Sequence, residues 1–350
     1  MTTALTVLNF GEPAEPDREV VVEYLTRIFY NNASLEDAET EEEALARSRQ
    51  LAERRAPGLL EEYEEIGGSP LNEQATAQAD AIGRALRSRG YEVATYHGMQ
   101  FLDPLIEDLP ELMRDDGIEH VIGLPIYPLC GPSTTVAALD DLETAIEETE
   151  GFDPEFTAIT GWHRHPSYTR LRAEGIASFA EEQGLDLTDP ETSLLFSAHG
   201  TPLRYVEEGS RYVKYVQEHC ETLAAILGVS DYALGYQNHS NRGVPWTEPD
   251  VEDAVVELDA ERVVVEPVSF LHEQSETLSE LDIDLKADAE EADLEFHRVP
   301  VPHDDERIAS LLADLAEPFL AGFDPGYHQL RQCQCRDSPG TMCLNAERVP

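Results

Sequence analysis

A short apolar run leads directly into a polar turn in the sequence SLLFSAHGTP, residues 193–202. The run 193–197 is typical of a buried strand, because it is brief, apolar and followed by glycine and proline. The same succession recurs along the chain, and longer stretches with helical periodicity separate the strand candidates. This alternation predicts an α/β protein with parallel sheets.

The chain divides into two similar halves on this pattern. Strands are predicted at residues 4–10, 92–96, 120–126, 155–161, 193–197, 232–236, 262–267 and 294–299. Helices are predicted at 19–30, 34–65, 72–89, 167–183, 204–227, 249–258, 274–289 and 304–321. We therefore expect two doubly wound lobes, 1–150 and 151–321, with a cleft between them and a cysteine-containing tail at 322–350.

The segment at about 31–66 is a long excursion from the first lobe. It is interpreted as a lid over a pocket, because several apolar side chains can form a stripe along one helix face. These are Leu35, Ala44, Leu45, Leu51, Leu59 and Leu60.

The charge balance excludes one class of partner. Seventy-one acidic residues against 24 basic ones give a net charge of −47, whereas nucleic-acid binding needs a basic surface. The favoured interpretation is a solvated acidic exterior of the halophilic kind, and the alternative is an acidic partner surface or a cation sink that feeds a metal site.

Nothing in the sequence suggests a membrane segment. Apolar runs such as 122–126 are far shorter than a bilayer span, and the first residues, MTTALTVLNFG, lack the basic region of a signal peptide. A hydrophobic content of 41% is that of a globular protein, and we expect it to be cytoplasmic.

Polar loops rich in glycine and proline follow most of the predicted strands. The carboxyl ends of parallel strands form one edge of a sheet, so these loops should crowd one cleft. The loops carry histidine, carboxylate and aromatic residues but neither a Gly-x-Gly-x-x-Gly motif nor a Walker loop. Aromatic walls suit a large flat ligand rather than a nucleotide.

Two features of the second half could supply chemistry. His199 follows a predicted strand and lies beside Gly200 and Pro202. It is interpreted either as a base that faces the cleft or as a structural histidine. Glu276, Glu280 and Asp284 are spaced i, i+4, i+8 on one helix face. They indicate either a ladder of hard ligands that passes metal ions or protons, or a solvated acidic face.

Six motifs resemble those of the ferrochelatases, in that family's order. They are LNFGEP (8–13), YEEIGGSPL (63–71), TYHGMQFLDPLIEDLPELM (95–113), FSAHGTP (196–202), VPWTEPD (244–250) and PVSFLHEQSETLSELDID (267–284). The similarity extends from about residue 4 to 321, and the fourth and sixth motifs are the most specific.

The resemblance implies two Rossmann-like lobes with a porphyrin cleft between them. His199 matches the family's active-site histidine, and Glu276 matches a carboxylate expected to face it across the macrocycle. Glu280 and Asp284 match an acidic line behind Glu276, so these four residues are the candidate metal ligands. The porphyrin pocket is assigned to Phe10, Tyr127, Trp246 and Phe101.

Three positions depart from the family pattern. Gln274 stands where a second histidine is usual, Gln100 where a basic residue is common, and Gly200 where serine follows the histidine. The first two changes bear on metal choice and on recognition of the porphyrin side chains.

The five cysteines favour metal ligation over a disulfide framework, since their number is odd and the chain is expected to be cytoplasmic. Many ferrochelatases hold a [2Fe–2S] cluster with cysteines of the C-terminal tail and one of the body. By resemblance the ligands here are Cys130, Cys333, Cys335 and Cys343, which leaves Cys220 as a packed helix residue. A zinc site with the same ligands and cysteines without a metal are the alternatives.

The resemblance thus implies an enzyme of haem biosynthesis that inserts Fe²⁺ into protoporphyrin IX or coproporphyrin III and releases two protons. Ferrous iron and the porphyrin would be its substrates, and the chain a monomer or a homodimer. Two other functions stay open: a sister chelatase for another metal or a sirohydrochlorin-like ring, and a non-catalytic carrier of haem or porphyrin.

Overall fold

The computed structural model describes residues 2–31, 40–238, 244–322, 335 and 340–344. Its strands are β1 (Thr3–Asn9), β2 (Ala94–Met99), β3 (His120–Pro125), β4 (Glu155–Thr160), β5 (Thr192–His199), β6 (Ala233–Gln237), β7 (Arg262–Pro267), β8 (Glu295–Arg298) and β9 (Thr341–Cys343).

The helices alternate with these strands. They are α1 (Arg18–Asn31), α2 (Glu41–Ile66), α3 (Leu71–Ser88), α4 (Leu109–Asp115), α5 (Ala137–Glu148), α6 (Pro166–Gln183), α7 (Leu203–Glu207), α8 (Tyr212–Leu227), α9 (Val251–Val256), α10 (Ser275–Leu278), α11 (Lys286–Glu291) and α12 (Glu306–Leu320). A 3₁₀ turn at Ile106–Asp108 and π-helices at Pro132–Val136 and Glu280–Leu285 complete them.

The strands form two parallel sheets, which confirms the predicted fold class. The first sheet has the order β2-β1-β3-β4-β9 and the second β6-β5-β7-β8. Every residue of β1 and of β3 is buried, as expected for strands covered by helices on both faces. No helix within the described ranges is long and apolar enough to span a membrane.

The pairing of β4 differs from the expected division at residue 150. β4 was expected to open the second lobe, but it lies beside β3 in the first sheet, with His120 opposite Glu155. The tail returns to the same sheet, because β9 pairs with β4 through Ala158 and Thr341. A strand's own sequence shows that it is buried but not which neighbour it takes, so the boundary between the sheets lies after Thr160.

Two predicted helices are interrupted. The helix expected over 204–227 breaks at Gly209, whose φ of +107° lies in the region that favours glycine, and it forms α7 and α8. The helix expected over 274–289 forms α10 and α11 with the π-helix Glu280–Leu285 between them. The π-helix changes the spacing on which the i, i+4, i+8 argument depends.

Helix α2 packs against α1 over the loops that follow β1 and β2. Its N-cap is Thr40, whose side chain accepts a hydrogen bond from Glu43 N–H. Its buried residues meet those of α1 in a cluster that includes Phe101: Val21, Tyr24, Leu25, Ala52, Ala56, Leu59 and Tyr63. Of the predicted stripe, Leu45 is 52% exposed and Leu35 lies outside the described residues.

Candidate active site

Three strand ends of the second sheet meet at one place. His199 is the last residue of β5 and lies opposite Gln237, the last residue of β6. The loop after β7 leads into α10, whose second residue is Glu276. The convergence follows from parallel strand direction, because all three carboxyl ends lie at the same edge of the sheet.

His199 is held by its neighbours in one orientation. Its backbone N–H donates to Ser269 Oγ at 3.0 Å, and its carbonyl accepts from Tyr212 O–H at 2.8 Å. Ring atom Nδ1 lies 2.6 Å from the carbonyl oxygen of Gly200. A carbonyl oxygen only accepts, so Nδ1 carries a hydrogen and Nε2 is the atom that gains or loses a proton.

Nε2 of His199 lies 3.2 Å from Oε1 of Glu276. The two side chains keep 31% and 18% of their surface exposed. They are in contact without the ring-sized gap that was expected between them, since a flat ring needs about 3.5 Å to the atoms on each side.

The charges around His199 determine its proton affinity. Burial lowers the pKa of His199, but the hydrogen bond and charge of Glu276, with the charge of Glu280, outweigh it and raise the pKa above its ordinary value. Burial first, then the charge of Glu276, raise the pKa of Glu280 to about 8. At neutral pH the carboxyl group of Glu280 therefore carries a proton that it can exchange.

Gln237 links the two acidic residues. Its side-chain nitrogen donates to Glu280 Oε2 at 2.8 Å and to the carbonyl oxygen of Glu276 at 2.7 Å, while its oxygen accepts from Ser197 Oγ–H at 2.9 Å. Gln237 is 2% exposed, so this amide is fixed in the core behind the site. Gln237 ends β6, and its sequence context gives no sign that it binds two acidic residues.

The acidic ladder extends from the interior to the surface. Glu276 opens it on α10, Glu280 begins the π-helix, and Asp284 is exposed. Burial and the charge of Glu65 of α2, with that of Asp288, raise the pKa of Asp284. The charge of Glu62, also on α2, acts on Glu280, so α2 lies along the acidic line.

The four residues assigned to a porphyrin pocket fall in two groups. Phe10 stacks edge-on against Phe101 at 4.6 Å between ring centroids, and Phe101 is 3% exposed within the α1–α2 cluster. The ring of Trp246 lies 6.5 Å from that of His199. Tyr127 is half-buried and donates its hydroxyl hydrogen to Gln100 Oε1 at 3.0 Å.

The three departures from the family pattern have identifiable surroundings. The amide of Gln274 donates to Oε2 of Glu276, so it supports the carboxylate without offering a second imidazole. Gln100 pairs with Tyr127, and the nearby Asp141 has a pKa raised to about 6, chiefly by burial. A Cβ on Gly200 would lie 1.8 Å from Asn238 Oδ1, which explains the glycine.

Sequence reasoning missed Glu12, a buried carboxylate supplied by the first lobe. Glu12 is 3% exposed, and the charge of Glu276 acts on it. It stands in the motif LNFGEP, where an acidic residue in a polar turn gives no sign of burial. Only the long-range contact between the loop after β1 and α10 reveals it.

Three of the four predicted cluster cysteines lie around one tyrosine. Tyr215 O–H is 3.9 Å from Cys335 Sγ. Burial first, and then the thiols of Cys335, Cys343 and Cys130, raise the pKa of this phenol. Cys130 and Cys343 are buried, and Cys333 lies outside the described residues. In the part of the chain that is described, no group of three or more His, Cys, Asp or Glu side chains is arranged to hold a metal ion.

Comparison with known proteins extends over most of the chain. A protein-family model described as Ferrochelatase matches residues 2–319. Curated relatives named ferrochelatase include one from Nostoc punctiforme, 35% identical over 274 residues, and one from Synechococcus sp. strain RCC307, 37% identical over 272 residues. These alignments cover 76% and 75% of this chain and 69% of each relative.

Two solved structures have a similar fold. One is CbiX, described as the terminal enzyme for biosynthesis of siroheme in denitrifying bacteria, with a TM-score of 0.51 and 15% identity over 90% of this chain and 98% of CbiX. The other is SirB from Bacillus subtilis with Fe³⁺, with a TM-score of 0.50 and 9% identity over 94% of this chain and 98% of SirB. At such identities the likeness shows the fold alone.

Proposed function

Because this chain belongs to the ferrochelatase family, we propose that His199 and Glu276 together carry out the insertion of Fe²⁺ into its porphyrin substrate. The chain is an enzyme of metal insertion into porphyrin, and the proposal concerns which side chains do the work. The observation that carries it is the contact of 3.2 Å between Nε2 of His199 and Oε1 of Glu276.

The reaction exchanges two pyrrole protons for one divalent ion. Nε2 of His199 accepts a proton from a pyrrole nitrogen, and Glu276 stabilises the resulting imidazolium by charge and hydrogen bond. His199 must discharge that proton before the second pyrrole nitrogen can give up its own. Glu280 lies beside Glu276 and has a pKa of about 8, so it exchanges protons near neutral pH, and Asp284 continues the line to solvent.

The metal and the protons use the same face of the ring. Imidazole nitrogen and carboxylate oxygen together suit a first-row divalent ion such as Fe²⁺. Since His199 and Glu276 are in contact, they can hold the ion on one side of the porphyrin while the aromatic side chains hold the ring. Phe10, Phe101, Tyr127 and Trp246 are the proposed walls of that pocket.

A sister chelatase activity is the second candidate, and Gln274 is the observation that favours it. With an amide against Glu276 in place of a second imidazole, the site offers one nitrogen ligand and several oxygens. Divalent ions differ in how strongly they prefer imidazole nitrogen to carboxylate oxygen, so a site with one imidazole should select differently among Fe²⁺, Co²⁺ and Zn²⁺ from a site with two.

One experiment separates these functions from a carrier. Purified protein in molar KCl is given Fe²⁺, Co²⁺ or Zn²⁺ with protoporphyrin or coproporphyrin, and metalloporphyrin formation is followed by absorbance. We expect Fe²⁺ insertion with multiple turnovers that His199→Ala lowers by about 100-fold or more. Stoichiometric porphyrin binding without turnover would identify a carrier, and near-normal turnover of His199→Ala would contradict the assigned role.

The [2Fe–2S] cluster is a further proposal, and the described residues support it only in part. Cys130, Cys335 and Cys343 gather around Tyr215, as ligands of one cluster would, and Cys333 would be the fourth. Metallation is not a redox reaction, so the cluster would have a structural part: when bound, it would hold the tail against the body. Aerobically purified protein should show visible absorption that Cys335→Ser abolishes and that the matched variant Cys220→Ser, in α8, retains.

The acidic exterior is proposed to require salt, and its support is the net charge of −47. Self-repulsion of such a surface is screened only at high ionic strength.

A further inference from the structure

Glu12 of the first lobe contacts the helix that carries Glu276. Its Oε2 accepts a hydrogen bond from Ser275 N–H at 3.1 Å, and its Oε1 accepts another from the Ser275 hydroxyl. The two residues are 263 positions apart and belong to different lobes. At 3% exposure Glu12 is shielded from water, so these hydrogen bonds face little competition.

The backbone of Glu12 is itself fixed. Its N–H donates to Asn72 Oδ1 at 2.9 Å, and the Asn72 amide donates back to its carbonyl oxygen at 2.8 Å. The preceding Gly11 has φ +80°, and a Cβ there would lie 2.8 Å from Met99 Cβ. A rigid turn on the first sheet therefore presents this carboxylate to the second lobe.

We propose that Glu12 is a positioning residue for Glu276, which it orients by holding Ser275 at the first turn of α10. The proposal rests on the function proposed for the His199–Glu276 pair. A capping box between Gln274 and Thr277 closes the first turn of α10 from within, but it leaves the N–H of Ser275, at the first helical position, without an acceptor in the helix. Glu12 accepts from both the N–H and the hydroxyl of Ser275, and so ties this turn to the first lobe.

The surroundings of Glu12 make it costly for this carboxylate to carry a negative charge. Burial and the charge of Glu276 raise the pKa of Glu12, and the hydroxyls of Ser275 and Ser69 oppose that rise. Burial and the charge of Glu12 raise the pKa values of the Tyr24 and Tyr63 phenols, which are therefore near it. A buried carboxylate costs stability, and one that is perturbed by a carboxylate of the candidate site is itself a candidate functional residue.

The test is steady-state metallation by Glu12→Ala and Glu12→Gln. In Glu12→Ala we expect kcat to fall by about 100-fold, as for a catalytic group displaced by about 1 Å, with the porphyrin KM within about twofold. As Glu276 loses its hold on Nε2 of His199, the acid limb of the pH profile should move to lower pH. Glu12→Gln should recover part of kcat, because its amide oxygen still accepts from Ser275 N–H.

Gln74→Ala is the matched control. Gln74 of α3 also bridges the lobes, since its Oε1 accepts from Glu273 N–H at 2.9 Å, but this bond is to a residue that precedes α10. We expect Gln74→Ala to keep kcat and the pH profile. If Glu12→Ala and Gln74→Ala lower kcat equally and leave the acid limb in place, the proposal is overturned. Glu12 would then only help to hold the two lobes together.

A second variant covers the possibility that Glu12→Ala does not fold. Ser275→Ala removes the hydroxyl donor but keeps the N–H bond, and it should lower kcat by about tenfold with the same direction of pH shift. Unchanged kinetics in Ser275→Ala would count against positioning. Wild-type protein that inserts no metal would instead contradict the function itself, so the two failures are distinguishable.

Discussion

Replacing Glu276 by glutamine removes the negative charge that lies 3.2 Å from Nε2 of His199. A hydrogen bond to a charged group contributes about 1.5–3 kcal/mol net. Loss of that amount lowers kcat/KM for iron insertion by about 10- to 150-fold, at about 1.4 kcal/mol per factor of ten. It also lowers the pKa of His199, because the hydrogen bond and the charge of Glu276 are the largest of the effects that raise it.

The assay is the initial rate of metallation as a function of pH, in molar KCl. We expect the acid limb of kcat/KM to report His199 and to move to lower pH in Glu276→Gln, since burial then lowers the pKa of the imidazole against the weaker effects of Glu280 and the Gly200 carbonyl. Glu290→Gln is the control, because it removes the same charge from α11, where Glu290 is exposed and 3.9 Å from Lys286. An acid limb that stays in place in Glu276→Gln, or moves equally in Glu290→Gln, would refute the reasoning.

Four further outcomes are expected. Burial and the charge of Glu276 raise the pKa of Glu280 from 4.5 to about 8, so the folded protein loses stability as the pH rises between these values. Glu280→Gln should therefore raise the melting temperature at pH 9 but not at pH 4.5. The same substitution should lower turnover. Burial and then the charge of Arg172 lower the pKa of His219 from 6.5 to about 3, so the folded protein loses stability as the pH falls below 6.5. Between pH 7 and pH 5, the free energy of unfolding from denaturant titrations should fall by about 2 kcal/mol more in the wild type than in His219→Phe. Gly200→Ser should displace Asn238 and lower both melting temperature and kcat, and equal values in both proteins would contradict the steric argument. The wild-type melting temperature should rise from dilute buffer to molar KCl, and an unchanged melt would exclude a requirement for salt.

The strands and the neighbourhood of the site could be predicted because their signals are local. Periodicity and turn residues locate β5 and β7, and parallel direction then brings His199 and Glu276 to one edge. Partners of strands are not local, which is why β4 was expected in the wrong sheet.

The helical details that were missed have a similar cause. A π-helix has i→i+5 backbone hydrogen bonds where an α-helix has i→i+4, and no residue pattern in 280–285 predicts this difference. The burial of Glu12 could not be predicted from the sequence, because it depends on hydrogen-bond donors of Ser275, 263 positions away. Contact between His199 and Glu276 was likewise hidden, since the sequence gives the strand ends but not the distance between side chains.

The spacing of the catalytic pair also indicates the order of events. Two ligand atoms 3.2 Å apart can bind one ion at about 2.1 Å each with an angle near 100° at the metal, between octahedral and tetrahedral values. A protonated Nε2 cannot bind metal, so the proton and Fe²⁺ compete for one atom of His199. Under the proposed function the pair would hold the ion first, and once the ion has passed to the pyrrole nitrogens the vacated Nε2 would accept their protons. Metal binding to the wild-type protein should accordingly release protons and tighten as pH rises, and both effects should weaken together in Glu276→Gln.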